Sequence, residues 1–367
     1  MQKEVTIMIT GRSKNAQLLK QNIDLIREFN PETDFHLLVV DNSIDDNGLQ
    51  EALADVPDVE LVMGYPPLAG IPSNNVGSYR HAQALNRGVE FVKTPFLIIV
   101  DPDLYVPRSN WISLVLNRMK SRGLAFFGVP WHPRWYAKYQ NFPCPQFFAV
   151  DLNQVDKNDL DFTPAILTHP HWSLAVIGGL SAEKNHITSD SVFTDMNMSK
   201  VSKIRTLFYR WVGYSIARIF SRVVSSHIFR LRIGTARDTG VWVWKKYACD
   251  KKLKVELLNP VVDLSVHLPQ FPLLQNRFFR VFEGLIPSRW SVLAGFERIH
   301  YIKQCPFLQK NYLKKVGFET FLWQGMPFAF HLRGNIQEVA GHDVTKSDIR
   351  KLLKEVIWIN YHPINKI

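Results

Sequence analysis

The chain has 367 residues, 46% of them hydrophobic and 21% charged, with a formal net charge of +11. This length allows one large domain with additions or two domains, and the composition excludes a disordered or fibrous chain. Cys144, Cys249 and Cys305 lie far apart, which argues against a disulfide framework or a zinc cluster and suits a reducing compartment; the basic excess points to an anionic partner such as a phosphorylated substrate, a membrane surface or nucleic acid.

Met1-Gln-Lys-Glu is too polar to open a signal peptide, and no stretch has the length of uncharged apolar residues that a membrane span requires. Val5-Thr-Ile-Met-Ile-Thr10 reads as a strand. Residues 13–29 read as a helix capped by Ser13, with Leu18, Leu19, Ile23, Leu25, Ile26 and Phe29 near one face. Strands follow at 35–40, ending in Asp41-Asn42-Ser43, and at 59–63. A loop rich in Pro, Gly and Asn over 65–76 leads into a helix at 79–93. Next comes the apolar run Phe96-Leu-Ile-Ile-Val, ending in Asp101-Pro-Asp103. Such alternation predicts an α/β fold with a mostly parallel sheet and helices on both faces. Beyond 110 we expect a helix at 113–122, strands at 124–129 and 146–150, and an aromatic, proline-rich loop from Trp131 to Phe142. A basic helical stretch is expected at 200–233 and a helix at 347–358.

Asp101 and Asp103 are the sharpest chemical signal. A buried strand ending in two carboxylates places them where open α/β sheets bind ligands, beyond the carboxyl ends of the strands. Pro102 stops the strand and can turn both acids toward one point. Two desolvated acids need a cation, and Mg²⁺ or Mn²⁺ is commonly held by one or two carboxylates plus substrate phosphate oxygens. The other triplet, Asp159-Leu-Asp161, follows a polar stretch and reads as a solvated turn. His169-Pro-His171 reads as loop packing.

Four pieces in order resemble the GT-A fold glycosyltransferases of the inverting family 2 group. They are Val39-Val40-Asp41-Asn42-Ser43, Asn75-Val-Gly77 with Asn86-Arg-Gly88, Asp101-Pro-Asp103, and Arg237-Asp238-Thr-Gly-Val-Trp. The gap between Gly77 and Asn86 is longer than in the family, and Arg237 stands where a second acid is common. The resemblance implies a nucleotide-diphosphate sugar donor, a hydroxyl acceptor, and Mn²⁺ or Mg²⁺. Donor contacts would come from Thr10, Asp41, Asn75, Asn86, Asp101 and Arg237. The metal would be held by Asp101, Asp103 and a late histidine. His331 is preferred, because Arg333 and Gly334 follow it, and His267 is the alternative. Asp238 would be the catalytic base, although an acid before a helix also serves as an N-cap. Asp41 is favoured as a donor contact over its reading as a turn residue, while Asn86 reads equally as satisfying helix backbone.

Between Asp195 and Asp238 there is no acid, while Lys200, Lys203, Arg205, Arg210, Arg218, Arg222, Arg230 and Arg232 recur among Leu207, Phe208, Trp211, Ile216, Ile219 and Phe220. The pattern fits an amphipathic helix lying on an anionic membrane. The stretch 277–290 is a second such candidate. We therefore expect a cytoplasmic enzyme, peripheral at the inner face of the cell membrane, with a lipid-linked or surface glycan as acceptor. Its expected parts are a nucleotide-sugar-binding half at 1–130, an acceptor-side half at 131–265, and a helical extension at 266–367. The rival readings are a non-catalytic basic membrane module and a sugar-phosphate nucleotidyltransferase. The single glycine in Thr10-Gly-Arg-Ser-Lys-Asn is poor for the latter's phosphate loop. Nucleic-acid binding ranks lower, because no zinc-finger or RNA-binding sheet signature is present.

Overall fold

The computed structural model describes residues 3–43, 48–65, 76–132, 142–164, 239–248, 250, 252–262, 300–301, 305 and 319–332. The basic segment 200–233, the stretch 277–290, the expected helix at 347–358 and most of the aromatic loop after His132 lie outside these residues.

Strands β1 (Val5–Gly11), β2 (His36–Asp41), β3 (Val59–Met63) and β4 (Phe96–Val100) alternate with helices α1 (Ala16–Phe29), α2 (Gly48–Leu53) and α3 (Val76–Phe91). β1 and β4 are buried along their whole length, which is why they read as near-continuous apolar runs rather than as alternating strands. The chain continues through β5 (Leu104–Tyr105), α4 (Trp111–Arg122), β6 (Leu124–Gly128), β7 (Phe147–Asp151), α5 (Val241–Tyr247), β8 (Lys254–Leu257), β9 (Asn259–Val262), β10 (His300–Tyr301), β11 (Glu319–Trp323) and β12 (Met326–His331).

Two sheets result. The first has the order β3-β2-β1-β4-β7-β6-β8. Its first four strands are parallel, and β7 runs antiparallel between β4 and β6. The second has the order β10-β9-β11-β12-β5. β4 belongs to the first sheet and β5 to the second, so Asp101-Pro-Asp103 is the corner at which the chain changes sheets.

The structure corrects three expectations. Ser13 does not cap α1: a 3-10 turn over Ser13–Asn15 precedes the helix, and the Ser13 hydroxyl instead meets Ser43 Oγ at 2.8 Å. This ties the loops after β1 and β2 together. Asp159 and Asp161 are not a free solvated turn. Asp159 accepts from Tyr247 Oη at 3.0 Å and pairs with Lys246 at 2.5 Å, so the turn anchors α5. Finally, the described core of 319–332 within the expected helical extension is a β-hairpin, and its strand β12 pairs with β5. Gln324 and Gly325 make its two-residue turn with φ of 55° and 78°, the backbone twist that suits adjoining antiparallel strands.

Aromatic rings join the two sheets. Phe328 of β12 lies 5.6 Å from Phe147 and 5.1 Å from Trp323, and Trp323 lies 5.1 Å from Phe127, with edge-on geometry throughout. Phe328 is fully buried. Truncating such a ring loses its transfer free energy and leaves a cavity, so Phe328→Ala should destabilise the fold by about 3–5 kcal/mol. Urea unfolding would measure it, and a loss well under 1 kcal/mol would show that the second sheet folds independently of this contact.

Candidate metal and donor site

The corner between the sheets is fixed by its backbone. Leu104 donates its N–H to the Asp101 carbonyl at 3.0 Å, and Asp101 donates its own to the Gln146 carbonyl at 2.9 Å. Asn22, a buried polar residue of α1, points its amide at the carbonyls of Asp101, Pro102 and Leu104 at 3.1, 3.2 and 2.9 Å. A buried amide is costly unless bonded. Here it satisfies the carbonyls that the turn frees from the sheet.

The partner of this corner comes from more than 200 residues later. Phe330 and His331 of β12 lie in register with Tyr105 and Leu104, and Leu332 donates its N–H to the Asp103 carbonyl at 2.7 Å. His331 Nε2 then lies 3.3 Å from Asp103 Oδ1 and 3.8 Å from Asp101 Oδ2. Ligand atoms of Asp101, Asp103 and His331 all fall within 4.8 Å of one another. On the far side of the ring, His331 Nδ1 meets Glu319 Oε2 at 2.9 Å. Glu319 and His331 are directly opposite across the β11–β12 hairpin, so the carboxylate behind the imidazole is a cross-strand neighbour. Gln146 Nε2 lies 3.0 Å from His331 Nδ1 and 3.5 Å from Glu319 Oε2.

Burial pushes the His331 pKa down, but the Asp103 and Glu319 carboxylates more than reverse this and hold it up at about 10. The potential that retains a proton there would equally retain a cation. Two carboxylates and an imidazole suit Mn²⁺ or Mg²⁺. Glu319 accepting from Nδ1–H would leave the Nε2 lone pair for the metal, the arrangement that orients many metal-bound histidines.

Asp41, the last residue of β2, is buried. Its Oδ1 accepts from the Ser43 N–H at 2.8 Å, which is the turn role, while its buried Oδ2 has no hydrogen-bond partner among the described residues. Thr10 is buried near the end of β1, opposite Val40. Asn86 is engaged with the segment 161–163: Oδ1 accepts from the Phe162 N–H at 2.8 Å, and Nδ2 faces Thr163 Oγ1 at 3.1 Å. The Phe162 carbonyl in turn accepts from the Gly240 N–H at 2.8 Å, so Asn86 braces the start of α5. Asn75, Arg237, Asp238 and His267 lie outside the described residues.

Several neighbours carried no sequence signal. Asn22, Gln146 and Glu319 belong to no motif, and nothing in their flanking residues marks them out. Arg12, just past β1, has its pKa lowered by burial and by repulsion from Arg80 of α3. Neither guanidinium has an acid partner among the described residues. His81 of α3 lies 3.3 Å from Asp101 Oδ1.

Residues 6–174, just under half of the chain, match the family model of glycosyl transferase family 2. No curated protein matches the chain. Among solved structures, TarS from S. aureus, in complex with UDP-GlcNAc, is similar at 13% identity over 43% of this chain and 48% of its own, with a TM-score of 0.32. The galactosyltransferase LgtC, with donor and acceptor sugar analogues, aligns at 12% identity over 52% and 70%, with a TM-score of 0.33. The mannosyltransferase PcManGT from Pyrobaculum calidifontis, with GDP-Man and Mn²⁺, aligns at 12% identity over 83% and 88%, with a TM-score of 0.34. The chain thus spans about half the length of the TarS chain it matches, and at these scores the likenesses carry no argument about residues or substrates. The first sheet is the mostly parallel α/β arrangement described above, and the match to glycosyl transferase family 2 covers the strands and helices from β1 through β7.

Glu319→Gln keeps the size of the side chain but removes the charge behind His331. Losing such a partner typically costs 10–100-fold in metal affinity, so Mn²⁺ affinity should fall by about that factor in a calorimetric titration. Unchanged affinity would reduce Glu319 to a packing role.

Proposed function

We propose that the protein transfers a sugar from a nucleotide-diphosphate donor to a hydroxyl acceptor with inversion, using a divalent cation held by Asp101, Asp103 and His331. The observation that supports this most directly is the convergence of those three side chains at the carboxyl end of β4, with Asp101 and Asp103 inside the segment that matches family 2 and His331 brought in from beyond it.

The order of the sheet gives the donor a route. β1 lies between β2 and β4, so the loop that carries Arg12 lies between Asp41 and Asp101. A nucleoside whose ribose hydroxyl or base N–H satisfies Asp41 Oδ2 would pass its diphosphate by Arg12 and Arg80 on the way to Asp101. That phosphate charge would relieve the repulsion between the two guanidiniums. Bound there, Mn²⁺ or Mg²⁺ would supply charge stabilisation to the leaving diphosphate. Asp101 and Asp103 would hold it as acceptor-only ligands, with His331 oriented by Glu319.

Asp238 would take the proton of the acceptor hydroxyl. In support, the residues that follow it are firmly held: Thr239 is buried, and Gly240 is bonded to Phe162. General-base help is worth about 10²–10⁴-fold. Asp238→Asn should therefore retain donor binding and lose about that factor in turnover, as read by calorimetry and by a product assay. Near-normal turnover would remove Asp238 from the mechanism.

The donor site itself is tested by titrating UDP, GDP and dTDP with and without Mn²⁺ into wild type and Asp103→Ala. Metal-dependent binding of one nucleotide, lost in the variant, is expected. No binding of any of the three would overturn the donor site as drawn and favour a basic module without turnover.

The acceptor in this proposal is a lipid-linked or surface glycan, met at the cytoplasmic face of a membrane. Its support is the acid-free run of basic and aromatic residues over 200–233. Among the described residues no helix is long and apolar enough to cross a membrane. The chain should co-sediment with anionic liposomes at low salt and be released as salt screens the attraction. Failure to associate at low salt would reject the membrane-bound acceptor.

A further inference from the structure

We propose that His81 is a positioning residue for Asp101: its imidazole Nε2 engages one carboxylate oxygen and thereby turns the other toward the cation site. This rests on the metal reading above and adds to it a residue that lies outside the ligand set.

The two histidines flank one carboxylate. His81 Nε2 lies 3.3 Å from Asp101 Oδ1, and His331 Nε2 lies 3.8 Å from Asp101 Oδ2. The backbone of Asp101 is already held through its N–H and its carbonyl, so rotation of the carboxylate is the freedom left to it. Nε2 of His81 is sealed from solvent and makes no in-line hydrogen bond among the described residues. A shielded ring nitrogen without a partner is unfavourable. A small rotation of the Asp101 carboxylate would bring Oδ1 into line as its acceptor.

The fold explains why this helix supplies the group. α3 leads into β4 through a short connection, so it runs antiparallel to the strands and its first turns stand over their carboxyl ends. Gly88 lies two turns beyond His81 on the same face. A Cβ at Gly88 would collide with Met8 Sδ of β1 and Val40 Cγ2 of β2. The missing side chain lets α3 settle onto the sheet and carries His81 down to Asp101. A role as fourth ligand fits less well. The atoms that converge within 4.8 Å are those of Asp101, Asp103 and His331, and His81 stands against the other oxygen of Asp101.

The test is Mn²⁺ binding without nucleotide, followed by calorimetry and by the electron paramagnetic resonance signal of free Mn²⁺. The proteins compared are wild type, His81→Ala, His81→Asn, His81→Gln and Asp103→Ala. A hydrogen-bonded partner of a metal-ligating carboxylate is worth about 10–100-fold in affinity, so His81→Ala should weaken Mn²⁺ by about that factor. The amide nitrogen of Gln reaches where Nε2 stands, whereas that of Asn stops near Nδ1. His81→Gln should therefore recover most of the affinity and His81→Asn should not. Asn and Gln are similar in polarity, so their comparison holds even where the Ala variant folds poorly. Wild-type affinity in His81→Ala, or Gln no better than Asn, would overturn the role of His81 and leave the metal site standing. Absence of Mn²⁺ binding in wild type and Asp103→Ala alike would overturn the metal reading and this inference with it.

Discussion

Leu332 donates its backbone N–H to the Asp103 carbonyl, and His331 lies in register with Leu104 on a strand only two residues long. The geometry of the site depends on this pairing. Hydrogen bonds between strands fix the separation and the facing of their side chains. Once β12 is zipped to β5, the imidazole has nowhere to point but toward the acids of the corner. A slip of one residue would turn His331 to the other face of the sheet. The aromatic contacts of Phe328 and Trp323 resist such a slip, because each ring would have to leave the buried layer.

The corner carries an electrostatic cost that the rest of the chain is arranged to meet. Asp101 and Asp103 are largely shielded, and Glu319 is fully buried. Charges taken out of water need close opposite charge and satisfied hydrogen bonds. His331 serves both sides, since its two nitrogens face carboxylates in opposite directions. A protonated imidazole offsets only part of three acids, which leaves a local excess of negative charge within a chain that is otherwise strongly basic. A divalent cation would answer that excess. The charge that a diphosphate would then add would, in the proposed donor site, be met by Arg12 and Arg80, which repel each other.

The first sheet was largely legible in the sequence because its central strands are buried on both faces. Val5–Gly11 and Phe96–Val100 show as apolar runs whatever their neighbours. The acids at the end of β4 stood out because such a run seldom stops in two carboxylates. The second sheet was hidden for the opposite reason. β5 and β10 have two residues each, too short for any period, and their partners are distant in sequence. The hairpin did leave a signal, Gln324-Gly325 between two aromatic runs, but a preference for helix in the last third obscured it. His331 was favoured on account of Arg333 and Gly334, which lie outside the described residues; what brings it to the corner is strand pairing. Glu319, Gln146, Asn22 and His81 could not be found in advance, because each gains its meaning from a partner at least 12 residues away.

The residues that hold the site and those proposed to react come from different kinds of structure. Asn22 and Gln146 act through the backbone of the corner, and Glu319 acts through a strand pair. None of these contacts needs a ligand in order to form. A site assembled in this way presents its charges in place before substrate arrives, so little free energy is lost to reorganisation when the diphosphate develops charge. The start of α5, where the proposed base Asp238 precedes Thr239, is linked to the same frame by one chain of bonds, from Asn86 through Phe162 to Gly240. That chain begins on α3, the helix that also carries His81 and Arg80. A displacement of α3 would therefore be felt at Asp101, at the arginine pair and at the start of α5 together. The metal corner and the start of α5 are thus tied to one helix, whose seat on the sheet depends on the absence of a side chain at Gly88.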